Sequence, residues 1–130
     1  MKVSVLIANY NNEKYLAESI NSVRKQNYQN IEIIVHDDAS SDNSIKKINK
    51  YKNIIIIKNK KRSNYGSYNQ MNAYFRAFKK SNGEVIFFLD SDDLFKKNKI
   101  KTIINDFLKN RNISSVFDLP IYKYKNKLKI

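Results

Sequence analysis

Two groups of carboxylates stand out in this chain of 130 residues. Six of its twelve acidic residues fall within residues 37–42 and 90–93: Asp37, Asp38, Asp42, Asp90, Asp92 and Asp93. Carboxylates this close repel one another unless a cation lies among them, and their oxygens suit hard cations such as Mg²⁺ or Mn²⁺. The second group therefore predicts a divalent-metal site, although a solvated acidic turn has the same composition.

Four short, mostly apolar runs predict the buried strands of a parallel sheet. They cover residues 3–8, 31–36, 54–57 and 86–89. Between and after these runs, apolar residues recur at spacings of three and four, which predicts helices. The helices cover residues 13–26, 42–50, 67–80 and 98–110. Strands that alternate with helices indicate an α/β fold with a doubly wound, mostly parallel sheet and helices on both faces.

Local signals add detail to these elements. Asn11 or Asn12 is suited to cap the first helix, and Ser41 to cap the second. One apolar stripe is expected on the third helix: Met71, Phe75 and Phe78. Residues 115–122 predict a fifth strand, which Pro120 restricts to an edge or terminating position.

The composition limits the class of protein. The length predicts one domain over residues 1–130, and 42% hydrophobic residues are enough for one core. The chain has no cysteine, so a disulfide framework and a thiolate metal site are excluded, and a cytoplasmic setting is expected. No apolar run approaches the length of a membrane span, and the first eight residues turn polar too soon for a signal peptide.

The net charge of +13 implies attraction to anions such as nucleic acid, anionic lipid or phosphorylated ligands. A nucleic-acid surface would gain nothing from two concentrated acidic spots, whereas a metal-bridged phosphate ester needs at least one. We therefore expect a phosphorylated ligand and no specific nucleic-acid partner. The alternative, a basic DNA or RNA binder, predicts salt-sensitive binding that does not depend on Asp92.

Both acidic groups follow predicted strands, so they are expected at the same edge of the sheet, where open α/β folds bind ligands. Tyr10 follows the first strand at that edge, and the basic loop 58–65 follows the third. An aromatic ring stacks on a base, a carboxylate accepts from its N–H, and a carboxylate-held cation neutralises a diphosphate. Neither glycine-rich nucleotide motif is present. The set indicates a nucleotide-diphosphate site without a glycine-rich phosphate loop.

Separated stretches of the chain, taken in order, resemble the donor-binding half of family 2 glycosyltransferases, which have the GT-A fold. These stretches are residues 3–11, 15–16, 19–23, 26–28, 32–35, 37–42, 64–66, 72, 83–84 and 90–93. The resemblance extends over residues 2–110. It implies a GT-A-like fold, a nucleotide-diphosphate sugar as donor, most often a UDP-sugar, and a divalent cation, Mn²⁺ or Mg²⁺.

The resemblance implies roles for residues around the base. Ala8, Asn9 and Tyr10 would line the base, with the ring of Tyr10 stacked on it. Asp38 would accept from the base N–H. Two simpler interpretations stay open, in which Tyr10 packs on the first helix and Asp37 only caps the turn that follows it.

The resemblance also implies roles around the diphosphate. Asp92 would be the main metal ligand, with Asp93 assisting and Asp90 near the ribose or the metal. Asn64 and Gly66 would belong to the loop beside the nucleotide. A phosphatase with Asp90 as nucleophile and Asp92 as acid is the competing chemistry, but it expects a small hydroxyl residue soon after the motif, where this chain has bulky apolar side chains.

The chain departs from the family pattern in two places. The pair Ala8-Asn9 stands where relatives usually carry Pro-Thr. The family's catalytic base is an acidic residue well after the metal motif, and only Asp106 and Asp118 follow Asp93 here. The first is predicted on a helix and the second near the edge strand, so the base is expected outside this chain, with the acceptor half absent.

The leading hypothesis is therefore a truncated glycosyltransferase domain, which serves inverting transfer to a surface-glycan or lipid-linked acceptor. The alternative is an inactive module that binds metal and nucleotide only. The basic surface would favour peripheral contact with an anionic membrane at its inner face. Without an acceptor half, apolar surface would stay exposed, which predicts self-association.

Overall fold

The computed structural model describes residues 1–124 and 127–129. Its main sheet has four parallel strands: β1 (Val3–Asn9), β2 (Ile31–Asp37), β3 (Ile54–Lys58) and β4 (Val85–Asp90). The helices are α1 (Leu16–Arg24), α2 (Ser44–Ile48), α3 (Gly66–Phe78) and α4 (Lys99–Lys109). A short antiparallel pair follows, β5 (Tyr122–Tyr124) and β6 (Lys127–Lys129). The strand order β3-β2-β1-β4 confirms the predicted doubly wound, parallel sheet.

The two faces of the sheet are covered by different helices, as predicted. Alternate residues of β1 point to opposite faces because the strand has a period of two. One face packs against α1, α2 and α4 in the larger cluster, which includes Val5, Ile20 and Ile100. The other face packs against α3 through Leu6, Ile34 and Ala77. No helix in the described part of the chain is long and apolar enough to cross a membrane.

The register of the sheet brings the ends of three strands level. Asn9 at the end of β1 lies opposite Asp37 at the end of β2, and Ala8 lies opposite Asp90 at the end of β4. The two acidic groups are 48 or more residues apart in sequence, yet parallel pairing places both at one edge of the sheet. The sequence predicted this juxtaposition correctly.

The opposite edge of the sheet is held by a polar cluster around Glu32. Its carboxylate accepts from the Ser4 hydroxyl and the Asn82 amide, both at 2.5 Å, and pairs with the Lys2 ammonium at 2.7 Å. The Ser4 hydroxyl in turn accepts from the Gly83 amide at 2.8 Å. These bonds join β1, β2 and the segment that leads into β4. They therefore help to set the strand register that places the two acidic groups at the same edge of the sheet.

The apolar stripe expected on α3 does not face the core. Met71, Phe75 and Phe78 are 71%, 54% and 53% exposed. The helix instead turns smaller residues toward the sheet: Asn69, Ala73 and Ala77. Both rows recur at helical spacing, so periodicity alone does not reveal which one is buried, and the small residues let α3 lie close to the strands.

The predicted helix caps are also wrong. The N-caps of α1 and α2 are Tyr15 and Asn43, and neither makes a side-chain capping bond. The side chain of Asn11 instead accepts from the Ser41 amide at 2.8 Å, across to the next loop. Asn12 donates to a serine in the acidic turn after β4. Tertiary contacts between loops use the polar groups that local reasoning assigned to caps.

Residues 115–121 form no strand, contrary to the prediction. Pro120 cannot donate to a ladder, and Phe117 and Leu119 are 92% and 79% exposed. A segment that has no neighbouring strand to bond with, and no surface to cover its apolar side chains, is not stabilised by forming a strand. The first strand residue after it is Tyr122, in the separate antiparallel pair.

Candidate functional site

A pocket of about 360 Å³ opens where β1, β2 and β4 end. Seven of the residues predicted for the site line it: Ala8, Asn9, Tyr10, Asp38, Gly66, Asp90 and Asp92. Asn64 and Asp93 are not among its lining residues. The lining also includes residues that were not predicted for the site: Asn12, Arg62, Asn69, Gln70, Ala73 and Ser91.

One end of the pocket combines an aromatic ring, a guanidinium and a carboxylate. The Arg62 guanidinium lies 3.5 Å from the ring centroid of Tyr10, and Nε of Arg62 lies 3.0 Å from Oδ2 of Asp38. Oδ1 of Asp38 accepts from the Asn59 amide at 2.9 Å. The Arg62 contact is ionic rather than an aligned hydrogen bond, so buried Oδ2 retains an unused acceptor position. Tyr10 is 40% exposed, and its ring packs against Arg62.

The loop that presents Asp38 is shaped by the preceding carboxylate. Asp37 is buried and accepts from the Asn9 side-chain amide at 2.7 Å and from the Ser40 backbone amide at 3.1 Å. Within the turn from Asp37 to Ser40, Ala39 has a φ of 60°, a left-handed conformation that costs free energy in a residue with a Cβ. Asp37 thus caps the turn, as the simpler interpretation expected, and ties β1 to β2 beneath the pocket.

Asp42 locks the next part of the same loop. Its carboxylate accepts from the Ser44 amide at 2.9 Å and from the Glu13 amide at 2.8 Å. Burial alone would raise the pKa of Asp42, but the hydrogen bonds from Ser44 and Glu13 and the charge of Lys47 bring it below its ordinary value. The loops after β1 and β2 are therefore joined by charged hydrogen bonds, which supports a rigid wall beside Tyr10.

At the other end of the pocket, Asp90 is held by α3. The Tyr74 hydroxyl and the Gln70 amide donate to the same oxygen, Oδ1, at 2.5 and 2.7 Å. Burial of the phenol, its bond to Asp90 and the nearby negative charges raise the pKa of Tyr74 far above its ordinary value, so it stays a donor. The following turn is tied to the first loop, because the Asn12 amide donates to the Ser91 hydroxyl at 2.6 Å.

The turn after β4 concentrates negative charge. The Asp93 amide donates to the Asp90 carbonyl at 3.0 Å, and the Asp92 side chain is exposed and lines the pocket. Burial, and then the charges of Asp90 and Asp92, raise the pKa of Asp93. The charge of Lys99 acts in the opposite direction without cancelling the rise.

The acidic turn fits a cation that a ligand shares, rather than a site built wholly from protein. Across the described residues, no group of three or more His, Cys, Asp or Glu side chains is arranged to hold a metal. Mg²⁺ sites commonly use one or two carboxylates and complete their coordination with substrate phosphates and water. Asp92 and the free oxygen of Asp90 meet that requirement chemically, since both residues line the pocket.

Arg62, Gln70 and Tyr74 are the residues that sequence reasoning missed. Arg62 lies in the loop that was expected to approach phosphates, so the basic run was a usable signal. Nothing local marks the other two, which become visible only when α3 packs beside β4.

His36 is 1% exposed, with its pKa lowered chiefly by burial and then by Arg76, and it does not line the pocket.

Neither downstream acid approaches the pocket. Asp106 is exposed on α4, and Asp118 pairs with the Lys99 ammonium at 2.8 Å. The carboxylates that line the pocket, among the residues described, are Asp38, Asp90 and Asp92.

Comparison with known proteins points to one family. The sequence model of glycosyl transferase family 2 matches residues 4–129. A glycosyltransferase of Nostoc sp. is 41% identical over 109 residues, which is 82% of this chain and 33% of that protein. The Escherichia coli UDP-Glc:alpha-D-GlcNAc-diphosphoundecaprenol beta-1,3-glucosyltransferase WfgD is 39% identical over 115 residues, or 88% of this chain and 44% of that protein.

A solved structure gives the same result. The Staphylococcus aureus protein TarS, residues 1–349 in complex with UDP-GlcNAc, superposes with a TM-score of 0.76 at 31% identity. The match covers 85% of this chain and 32% of that chain. The expected GT-A fold is therefore confirmed. The chain spans less than half the length of these relatives.

Proposed function

Because the chain belongs to glycosyl transferase family 2, we propose that its pocket binds a nucleotide-diphosphate sugar, specifically a UDP-sugar, for glycosyl transfer. One observation carries the proposal: Tyr10 and Asp38 both contact Arg62 at one end of a pocket whose other end holds Asp90 and Asp92. A base would occupy the first end and a diphosphate the second.

Uracil suits the first end by its hydrogen-bonding groups. Its N3–H is a donor that the unused Oδ2 of Asp38 would accept, whereas N3 of cytosine is itself an acceptor and would repel a carboxylate. Its ring would stack on Tyr10, where the Arg62 guanidinium lies in the free chain. Arg62 must therefore move off the ring when the base enters.

A divalent cation, Mn²⁺ or Mg²⁺, would be held by Asp92 with Asp90, and Asp93 would assist through its charge. When bound, such an ion neutralises the diphosphate and stabilises the departing nucleotide. The charges of Asp90 and Asp92 add to burial in raising the pKa of Asp93, and a bound cation would relieve that repulsion, which supports this proposal. Ala8, Asn9 and Gly66 would complete the walls around the nucleotide, and Asn64 would lie in the loop beside it.

The reaction would be an inverting transfer. The acceptor hydroxyl oxygen forms a bond to the anomeric carbon, the bond from that carbon to the diphosphate breaks, and the hydroxyl proton passes to a carboxylate base. The acceptor would be a surface glycan or a lipid-linked glycan. The Escherichia coli relative supports this class, since its name specifies a diphosphoundecaprenol acceptor.

A second candidate is a module that binds metal and nucleotide without transfer. It is favoured by the positions of Asp106 and Asp118, which lie outside the pocket and leave no free carboxylate there as a base among the described residues. Release of UDP from UDP-sugars, with a lipid-linked glycan as acceptor, separates the two candidates. Acceptor-dependent release establishes transfer, and binding without release establishes the module.

The primary test is calorimetric titration with UDP, with and without Mn²⁺. Wild-type protein should bind UDP, and Mn²⁺ should raise the affinity at least tenfold, an amount worth about 1.4 kcal/mol. Asp92→Asn should remove the gain from Mn²⁺ and retain the weaker metal-free binding. Asp106→Asn, an exposed carboxylate on α4, is the matched control. A folded wild-type protein that binds no UDP would contradict the proposal.

The basic surface would support peripheral contact with the inner face of an anionic membrane. A net charge of +13 favours such contact, and each basic residue near the surface adds roughly 1 kcal/mol. Sedimentation with phosphatidylglycerol vesicles should deplete the protein at low salt, with release at high salt. Equal depletion by neutral phosphatidylcholine vesicles would exclude an electrostatic contact.

Self-association would use the exposed apolar surface beside β4. Phe88 is 59% exposed, and β4 is an edge strand without charge between Val85 and Leu89. The exposed stripe of α3 (Met71, Phe75 and Phe78) flanks it, and such side chains together supply on the order of 400 Å² toward the roughly 800 Å² per partner of a stable interface. Light scattering should show dimers that Phe75→Ser weakens. A monomer at high concentration would exclude this surface as a self-contact.

A further inference from the structure

Two side chains of α3 converge on one oxygen of Asp90. The Tyr74 hydroxyl and the Gln70 side-chain amide donate to Oδ1 at 2.5 and 2.7 Å. Each carboxylate oxygen has about two acceptor positions, so both positions of Oδ1 are used. The second oxygen, Oδ2, accepts from no group among the residues that the structure describes, and Asp90 lines the pocket.

The two donors are themselves held in place. Gln70 and Tyr74 are four residues apart, so they lie on the same face of the helix. The ring of Tyr74 meets the ring of Phe88 edge to face, with centroids 5.0 Å apart and an interplanar angle of 75°. Phe88 lies two residues before Asp90 on β4, so this aromatic contact fixes the phenol against the same strand that carries the carboxylate.

The backbone of Asp90 is restrained independently of α3. Its carbonyl accepts from the Asp93 amide at 3.0 Å and from the Ser19 hydroxyl at 3.3 Å. With the backbone fixed, the remaining freedom of the carboxylate is rotation of its side chain. The bonds from Gln70 and Tyr74 oppose that rotation, because it would break both.

We propose that Gln70 and Tyr74 are positioning residues, which hold Oδ1 of Asp90 and so keep Oδ2 directed to the bound nucleotide. This inference rests on the proposed donor site. Charged hydrogen bonds of this kind orient the groups that contact a ligand, and their loss typically costs about 10–100-fold in affinity or activity. The helix α3 also begins at Gly66 and carries Asn69, both in the pocket lining, so one rigid element would serve both walls.

The test is the affinity for UDP with Mn²⁺ in the double variant Gln70→Leu, Tyr74→Phe. Tyr74→Phe keeps the ring against Phe88 and removes only the hydroxyl. We expect UDP affinity to fall about tenfold, while Tyr68→Phe, on an exposed part of the same helix, leaves it unchanged. Titration followed at the Gly66 amide by NMR measures weak as well as tight binding.

The same pair of substitutions is then made in an Asp90→Ala protein. A residue that acts through Asp90 has no further effect once that carboxylate is gone, so the affinity should not change again. An equal loss in both backgrounds, or no loss in the wild-type background, overturns the positioning role and leaves the donor site intact. If the wild-type protein binds no UDP, the proposed donor site is wrong, and this inference is wrong with it.

Discussion

The guanidinium of Arg62 lies over the ring of Tyr10, 3.5 Å from the ring centroid. Its Nε is also 3.0 Å from Asp38. A planar cation that covers an aromatic ring and meets a carboxylate makes the contacts that a stacked uracil would make with the same two residues. In the proposed complex, the base would therefore replace the guanidinium of Arg62 on the ring of Tyr10.

Removal of the ring at residue 10 should weaken UDP binding. Stacking of a base on an aromatic side chain is worth roughly 1–3 kcal/mol by alanine substitution, so Tyr10→Ala should lower the affinity between about 5- and 150-fold. Tyr10→Phe should bind like wild type, since stacking needs only the ring. Isothermal calorimetry measures both. Equal affinity for Tyr10→Ala and wild type would show that the base lies elsewhere.

Asp38 should set the choice of base. Wild-type protein should bind UDP at least tenfold more tightly than CDP, because the carboxylate accepts the N3–H of uracil and repels N3 of cytosine. Asp38→Asn keeps the size of the side chain and can donate to cytosine, so the preference should fall toward unity. Competition between UDP and CDP measures the ratio. An unchanged ratio would exclude Asp38 from base recognition.

The two glycines of the chain should respond oppositely to alanine. A Cβ on Gly83 would lie 2.5 Å from the Ser4 nitrogen and 2.9 Å from the Val3 carbonyl carbon, so the strand must shift. We expect Gly83→Ala to cost about 1–3 kcal/mol of unfolding free energy. Gly66→Ala meets nothing within 4 Å at the start of α3 and should be neutral or stabilising.

Urea denaturation measures both glycine variants. Because backbone atoms of residues 3 and 4 are among the obstacles at Gly83, Ser4→Ala should not rescue Gly83→Ala. Equal stability of the two glycine variants would show that the close approach at Gly83 is readily relieved.

Glu32 should make stability depend on acid. Burial raises the pKa of Glu32, but bonds from Asn82, Lys2 and Ser4 outweigh it and hold the pKa below the ordinary value of 4.5. The Glu32 carboxyl therefore binds a proton more readily in the unfolded chain than in the folded chain. The contribution of Glu32 to the free energy of unfolding is fully present above pH 4.5, and it is lost as the pH falls through the pKa of the folded state.

Glu32→Gln should accordingly reduce the fall in unfolding free energy between pH 7 and pH 3, measured by urea titration at each pH. Lys2→Met removes one of the partners and should reduce that fall by a smaller amount, since Asn82 and Ser4 still donate. A Glu32→Gln protein with the acid sensitivity of wild type would exclude Glu32 as a source of it.

Much of the site followed from local sequence. Short runs rich in apolar residues are stable only when they are buried, and this predicted the strands. The polar residues that follow each run placed Tyr10, Asp38 and Asp92 at one edge of the sheet. The separated stretches of sequence that carry the family resemblance also occur in the order found in one family. Such inferences succeed because they depend on the residue types themselves and on a topology that most α/β folds share.

Tertiary structure alone decided the contacts between elements. Two rows on α3 have the same helical period, and only the packed fold shows that Ala73 and Ala77 face the sheet while Phe75 does not. Likewise, the position of Arg62 over Tyr10, and of Tyr74 against Asp90, depends on how separate elements meet. Periodicity predicts that a helix has one buried face, whereas which row of residues is buried, and against which neighbours, depends on the path of the whole chain.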